Sequence, residues 1–418
     1  MKNPFIFEHE LAIAAILKDE APYVKDWIEY HLLIGVTKFY LYDNGSRDCL
    51  KDVLRPYREA GIVEYREFPG HCKQLAAYND AILRHRFDCR YMAFIDVDEY
   101  LRPMGQQMLP EVVAEVLAAH EDAAGVTANW RVFGSSGYET KDLAIPVWQR
   151  YVYRAEDDFF KCEAVKSIVD PRAVEFFYIH NARYFAGRYA VDENGEKVLG
   201  AGNKRHPFHQ ICIHHYFTRS KEEYAEKLER GNATSRKERG WEDFEIFDRN
   251  EVRDDGICDS ISARRSHRRD LWEYRRMSQE KLIASIQMLQ QVMEQSESTW
   301  AGQTEYLLCC LHGCRKYSRY LDQQSVEQIR ELLLEKLSMA LEQKMYCDEV
   351  QLLFSALPDL MKPPLSDVQR KIMRRAMEWG EIGSQYCLET LQWEAYQYFR
   401  VTMRALRPLY HEILASTS

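Results

Sequence analysis

No stretch of this chain approaches about eighteen uncharged apolar residues, so nothing in it reads as a membrane-spanning helix. Met1 to Glu10 has no basic region followed by an apolar run, and a secretory leader is therefore not expected. The eleven cysteines are odd in number and scattered, unlike the even, closely spaced framework of a small secreted scaffold. A reducing, cytoplasmic setting fits them best. Positive charge is in deficit: 56 Lys and Arg against 65 Asp and Glu leave a net charge of -9, which argues against wrapping nucleic acid with a basic surface. The chain also lacks a Gly-x-Ser-x-Gly elbow, a Walker loop, a dinucleotide fingerprint, low-complexity segments and any fixed-period repeat. The chemistries and solenoid folds those features announce are set aside.

What is present is enough for large cores. At 418 residues and 46% hydrophobic composition the chain is globular and long enough for two to three domains of roughly 150 residues. The first hundred residues alternate compact apolar runs with helical patterns, the texture of a mainly parallel α/β sheet. Strands are expected at 11–17, 38–42, 62–68 and 91–95, with helices opening at Pro22 and spanning 74–85. Residues 125–215 are rich in strands and loops, with strands expected at 126–132, 174–179 and 210–217. A helix is expected at 222–230, followed by a polar, acidic surface cover over 231–260. From about Ser262 the pattern is helical only, over 281–294, 304–321, 326–343, 368–379 and 393–404. The expected division is an α/β domain over 1–260 and an all-α domain over 261–418.

The sharpest local feature is Phe94-Ile95-Asp96-Val97-Asp98-Glu99-Tyr100, where an apolar strand runs into three acids. Carboxylates at the carboxyl end of a sheet strand sit where open α/β sheets bind ligands, and a hard divalent cation is a natural partner for them. Taken alone, an Asp-x-Asp more often marks a solvated turn. Cys309, Cys310, His312 and Cys314 suggest zinc at first sight. Their spacing on a helical pattern, with no second Cys-x-x-Cys pair, favours a buried apolar face, so no structural zinc is expected.

Several ordered motifs together are more specific than any one. Leu17-Lys18-Asp19-Glu20, Tyr42-Asp43-Asn44-Gly45-Ser46, Gln74-Leu75-Ala76-Ala77-Tyr78-Asn79-Asp80 and the Phe94 to Leu101 segment form one series. It continues through Trp130-Arg131-Val132-Phe133-Gly134-Ser135-Ser136-Gly137, Lys166-Ser167-Ile168-Val169 and His214-His215-Tyr216-Phe217-Thr218-Arg219-Ser220. The series resembles the family 92 glycosyltransferases, over roughly residues 10 to 255. The resemblance implies a GT-A fold in which the Asp-x-Asp holds a divalent ion, usually Mn2+ (or Mg2+), against a UDP-sugar. It assigns Asp96 to the ribose or to the metal through water, Asp98 to the metal directly, and His215 to the metal shell. His214 stands where an asparagine is expected, which leaves the choice of imidazole open.

Around that centre the donor-binding candidates are Lys18, Asp43, Asn44, Gln74, Asn79 and Asp96. Ordinary turn chemistry is the competing reading for Asp43 and Asn44, and surface polarity for Gln74 and Asn79. An inverting displacement also needs a base for the acceptor hydroxyl. The acidic cover offers Glu242, Asp243 and Asp248, with Asp243 first because Trp241 and Phe244 flank it as a sugar-stacking platform. The expected function is hexose transfer, galactose from UDP-galactose by the resemblance, onto a glycan acceptor in polysaccharide or glycoconjugate synthesis. A non-catalytic GT-A-like scaffold that presents the helical tail to a partner is the alternative, and intact Asp96, Asp98 and His215 weigh against it. The run from Arg264 to Arg276 holds six arginines against two acids. It reads either as peripheral contact with an anionic membrane face or as a helix start packed into the fold, and not as a nucleic-acid reader.

Overall fold

The computed structural model describes residues 7–274 except 87, 186, 232–239 and 272. Beyond them it describes residues 365–389 and scattered positions between 327 and 410. The chain divides into two compact units, Phe7–Lys281 and Leu282–Ser418 with Met1–Ile6. In the second, the helix Asp367–Glu389 covers the segment expected at 368–379 and buries Ile372, Met373, Ala376 and Met377 along one stripe. The expected helices at 281–294 and 304–321, and the cysteines near 310, lie outside the described residues.

The first unit opens with alternating strands and helices: β1 (His9–Leu17), α1 (Ala21–Leu33), β2 (Lys38–Asp43), α2 (Leu50–Glu59), β3 (Val63–Glu67), α3 (Gln74–His85) and β4 (Cys89–Phe94). There follow β5 (Glu99–Pro103), α4 (Leu109–Ala118), β6 (Ala123–Val132), α5 (Val147–Arg150), β7 (Tyr153–Arg154) and β8 (Val165–Val169). Then come β9 (Val174–Phe177), β10 (Ala182–Tyr184), β11 (Tyr189–Val191), β12 (Lys197–Val198) and β13 (Ile211–His215). The unit closes with α6 (Lys221–Arg230), α7 (Trp241–Phe247), β14 (Val252–Arg253) and α8 (Gly256–Ala263).

The sheet runs β12-β11-β6-β8-β4-β1-β2-β3, with β13 attached to β5 and β6. Strands β3, β2, β1 and β4 are mutually parallel, and β8 enters antiparallel between β4 and β6. Central β1 shows why helices cover both faces. Its Leu11, Ile13 and Ala15 join one core with α1, α2 and α4, while Ala12, Ala14 and Ile16 join another with α3. A strand alternates its side chains between faces, so a continuous apolar run is buried on both.

Five elements depart from the sequence reading. Helix α2 carries Pro56 and many charges, yet Leu50, Leu54 and Tyr57 fall on one buried stripe. Helix α4 lay in a stretch given no element. Strand β5 starts at Glu99 itself, a carboxylate that reads locally as the end of structure. The expected featureless cover over 231–260 contains α7 and α8, whose apolar stripes are too short for periodicity to reveal. The basic run is also partly interior. Arg264 is buried and donates to the Gly105 and Gln107 carbonyls, both at 2.6 Å. Tyr274 is buried and donates to the Leu32 carbonyl at 3.2 Å, while Arg265, Arg268 and Arg269 are exposed.

Helix α6 is held by its own first turn. Ser220 caps it, and Glu223 reaches back to the Ser220 backbone, a reciprocal cap that satisfies two free donors. Glu223 also accepts from Arg150 at 3.1 Å through each oxygen, and both side chains are almost fully enclosed. Burial pushes the Glu223 carboxyl upward, but Arg219 and the Ser220 hydroxyl outweigh it and hold the group down to about 2. The stability this carboxylate contributes is thus present above the ordinary carboxylate range and lost as pH falls toward 2. Glu223→Ala leaves Arg150 buried without its counter-ion. It is expected to cost about 3–5 kcal/mol in urea unfolding at neutral pH, with the difference from wild type shrinking below pH 4.

Candidate active site

The carboxyl ends of β1, β2 and β4 open into one cleft of about 600 Å³. Its wall includes Lys18, Asn44, Gln74, Asp96, Asp98 and His215, all residues singled out from the sequence. Asp43, Asn79, Glu242, Asp243 and Asp248 are not on that wall.

Three acids follow the end of β4, two of them sharing one lysine and the third held by another. Asp96 Oδ1 accepts from Gln74 Nε2 at 2.9 Å and Tyr78 OH at 3.2 Å, and its Oδ2 accepts from Lys166 Nζ at 3.0 Å. Glu99 is enclosed; its Oε2 accepts the Asp96 backbone N–H at 2.8 Å and lies 3.4 Å from Lys166 Nζ. Burial raises the Glu99 carboxyl to about 8 against the pull of Lys166. Asp98 Oδ2 accepts from Lys227 Nζ at 2.6 Å, and its Oδ1 lies 3.9 Å from His215 Nε2. Burial would raise Asp98, but Lys227, His215 and Arg219 hold it below the usual carboxylate range. Asp98 is therefore ionised at neutral pH.

The pleat separates the two histidines of β13. His215 faces the cleft beside Trp130, ring centroids 4.1 Å apart, and burial lowers its pKa to about 3. His214 points the other way, stacks on Phe133 and has Nε2 3.4 Å from Arg102. A neutral His215 ring offers a lone pair beside an ionised Asp98. That is a donor set suited to a divalent cation.

Asp43, Asn44, Asn79 and Asp248 bond to neighbouring groups of the fold. Asp43 accepts the backbone N–H and the hydroxyl of Ser46 at 2.8 and 2.7 Å and the Tyr65 hydroxyl through its other oxygen. Asn44 lines the cleft, but its amide donates to the Phe68 and Gly70 carbonyls and so fixes the Pro69-Gly70 lip. Asn79 clasps the backbone of Phe177 through both its oxygen and its nitrogen, joining α3 to β9. Asp248 Oδ1 accepts the Ser135 N–H at 2.6 Å, and Asn250 Oδ1 accepts that of Ser136 at 2.8 Å. The Gly-Ser-Ser-Gly turn is thus the anchor of the segment after α7. Gly134 is needed there because a Cβ would lie 2.3 Å from the Arg249 carbonyl oxygen. Glu242 is exposed and Asp243 half-buried in the first turn of α7, while Phe244 is buried against Tyr224 and so offers no open platform.

Other residues on the wall escaped the sequence reading: Glu20, His180, Lys227 and Arg230. Glu20 pairs with Arg219 at 3.4 Å and Arg230 at 2.8 Å. Lys227 and Arg230 stand three residues apart on α6, a spacing that puts both on one face and was available in the sequence. Nothing local marks His180, which reaches the cleft only through the pairing of β8 and the turn after β9.

The sequence matches the description Glycosyltransferase family 92 over residues 13–250. A family 92 protein of Oryza sativa subsp. japonica is 31% identical over 179 residues, 42% of this chain and 30% of the other. One from Ricinus communis is 28% identical over 227 residues, 54% of this chain and 38% of the other. The chain thus spans about a third of the length of these curated relatives. Galactan beta-1,4-galactosyltransferase GALS2 of Arabidopsis thaliana is 29% identical over 103 residues, 22% of this chain and 20% of the other. A solved structure of S. aureus TarS, residues 1–349, covers 96% of this chain and 91% of its own at 11% identity. Its TM-score of 0.25 is too low to bear on fold or function. The match over more than half of the sequence settles the family: the chain belongs to glycosyltransferase family 92.

Proposed function

We propose that this family 92 chain is a metal-dependent inverting glycosyltransferase that moves a hexose from a UDP-sugar onto a glycan acceptor. The observation that carries the reading is the pairing of ionised Asp98 with neutral His215 in the cleft at the carboxyl end of the sheet. Galactose as the sugar rests on the family resemblance and on the likeness to GALS2.

Asp98 and His215 would hold Mn2+ or Mg2+. Among the described residues no three His, Cys, Asp or Glu side chains form a ready cluster, so the donor phosphates and water would supply the other ligands. When bound, the cation neutralises charge on the departing diphosphate. The chain's own residues do the rest. Lys18, Asn44, Gln74 and Asp96 border the donor, with Asp43 shaping the turn beneath it and Asn79 bracing α3. Lys227 and Arg230 present positive charge from α6, and a phosphate competes with Asp98 and Glu20 for them. Glu242, Asp243 and Asp248 belong to the acceptor-side cover in this reading, as residues that border a glycan.

A cytoplasmic location with peripheral membrane contact is the further part of the proposal, resting on exposed Arg265, Arg268 and Arg269. No described helix is long and apolar enough to cross a membrane.

Release of UDP from a panel of UDP-sugars, with and without Mn2+, tests the function. Turnover that needs both Mn2+ and one hexose donor is the expected result, and inertness toward every UDP-sugar would end the reading. Asp98→Asn is expected to keep the wild-type circular dichroism and lose turnover by about 100-fold or more, the scale of one preorganised electrostatic group. His215→Ala should lose less, since one of several ligands goes. Full activity in Asp98→Asn would remove the metal assignment. For the membrane contact, phosphatidylserine vesicles should pellet the wild-type chain at low salt, at about 1 kcal/mol per basic residue engaged. Arg265→Glu with Arg269→Glu should stay in the supernatant, and pelleting indifferent to salt and to charge reversal would refute the contact.

A further inference from the structure

An inverting transfer needs a proton acceptor beside the attacking hydroxyl, and the carboxylates of α7 are not on the cleft wall. Most acids and imidazoles on that wall are already engaged. Glu20 is ion-paired with Arg219 and Arg230, Asp96 accepts from Gln74, Tyr78 and Lys166, and Asp98 is held by Lys227. His215 faces Asp98.

His180 is placed differently. It follows β9, is half-buried, and lines the same cleft. Its Nδ1 lies 2.8 Å from the Val165 carbonyl oxygen. A carbonyl oxygen only accepts, so Nδ1 carries the proton and Nε2 of the neutral ring keeps the lone pair. The Ser167 hydroxyl donates to the His180 carbonyl at 2.9 Å, which ties the main chain of His180 to β8 as well. The Trp130 indole stands 5.4 Å from the His180 ring and 4.1 Å from the His215 ring, so the two imidazoles share one aromatic neighbour in the cleft.

We infer that His180 is the general base of the transfer and takes the acceptor hydroxyl's proton on Nε2. The inference rests on the transfer reading above. As the acceptor oxygen bonds to the anomeric carbon, the O–H proton passes to Nε2 and the imidazole becomes imidazolium. The bond from the anomeric carbon to the diphosphate oxygen breaks, and its electron pair leaves on that oxygen. Burial, then the nearby charge of Lys166, lower the ring's pKa to about 4, which keeps it unprotonated before the step. The Val165 carbonyl and Asp96 act in the opposite direction and favour the imidazolium that results.

The test uses the full chain, Mn2+ and the UDP-sugar it turns over, with UDP release and UDP affinity both measured. In His180→Asn the amide can still donate to the Val165 carbonyl but places nothing at the Nε2 position. Its kcat is expected to fall by about 10²–10⁴-fold, the range for removing a general base, with UDP affinity unchanged. His180→Ala should lose as much and regain part of its turnover when imidazole is added, a rescue that a merely structural role would not permit. An active wild type with equally active His180→Asn overturns the base, as does loss in Asp243→Asn with His180→Asn unaffected. A loss of turnover in His180→Ala that travels with lost UDP affinity and ignores imidazole also overturns it. A wild type that turns over no UDP-sugar fails the transfer reading itself, and the base with it.

Discussion

Lys166 is the contact on which the cleft depends. Strand β4 delivers Asp96, Asp98 and Glu99 within four residues, and such a concentration of acid at the end of a buried strand is costly to hold. One enclosed ammonium touches both Asp96 and Glu99. It arrives there because β8 runs antiparallel between β4 and β6, and Ala93 pairs with Ile168, bringing Lys166 level with the end of β4. Removing this cation while leaving the acids would strand buried charge, which is more damaging than never having had the pair. The antiparallel insertion in an otherwise parallel half-sheet is thus an electrostatic requirement of the site as much as a matter of topology.

A second set of cations comes from the segment after β13. Arg219 sits over the Tyr23 ring and against Glu20, Lys227 against Asp98, and Arg230 against Glu20 and the Lys18 and Asp19 carbonyls. Asp96, Asp98 and Glu20 are therefore each paired with a basic side chain before any ligand enters. In the proposed transfer a diphosphate would add negative charge, and Lys227 and Arg230 on α6 are the cations on the cleft wall from that helix that would meet it. Because α6 is fixed through Glu223 and the buried Arg150, its charged face is presented by a rigid element.

Much of this was legible in the sequence. The apolar runs of β1, β2 and β4 place those strands to within a few residues, since strands buried on both faces need unbroken apolar sequence, whereas edge strand β3 is mostly polar. The acids after Phe94 stood out because charge so rarely follows such a run. What stayed hidden was of two kinds. Short or charged elements such as α2, α7 and β5 bury only two to four side chains, too few for a period to show. Residues such as Lys166 and His180 owe their place to pairings between distant strands, and no local pattern encodes those. Asp43 and Asn79 show the converse. Polar residues at strand ends and on helices look available in sequence, yet here they satisfy neighbouring backbone and hydroxyl groups, the commoner fate of a buried polar side chain.

The choice between His214 and His215 shows where sequence reading stops and geometry begins. Both are histidines in the same apolar run, and composition treats them alike. β13 pairs in parallel with β6, matching Ile213 to Trp130 and His215 to Val132, and antiparallel with β5, matching His215 to Glu99. With that register fixed on two sides, the alternation of the strand sends His215 to the cleft and His214 to Arg102 and Phe133. A slip by one residue would exchange them, turning His214 to the cleft and His215 toward Arg102 and Phe133. Which imidazole faces the cleft is therefore a property of strand register, held by two neighbouring strands at once. That double constraint is also why Trp130, on β6, comes to lie beside the His215 ring and within reach of His180.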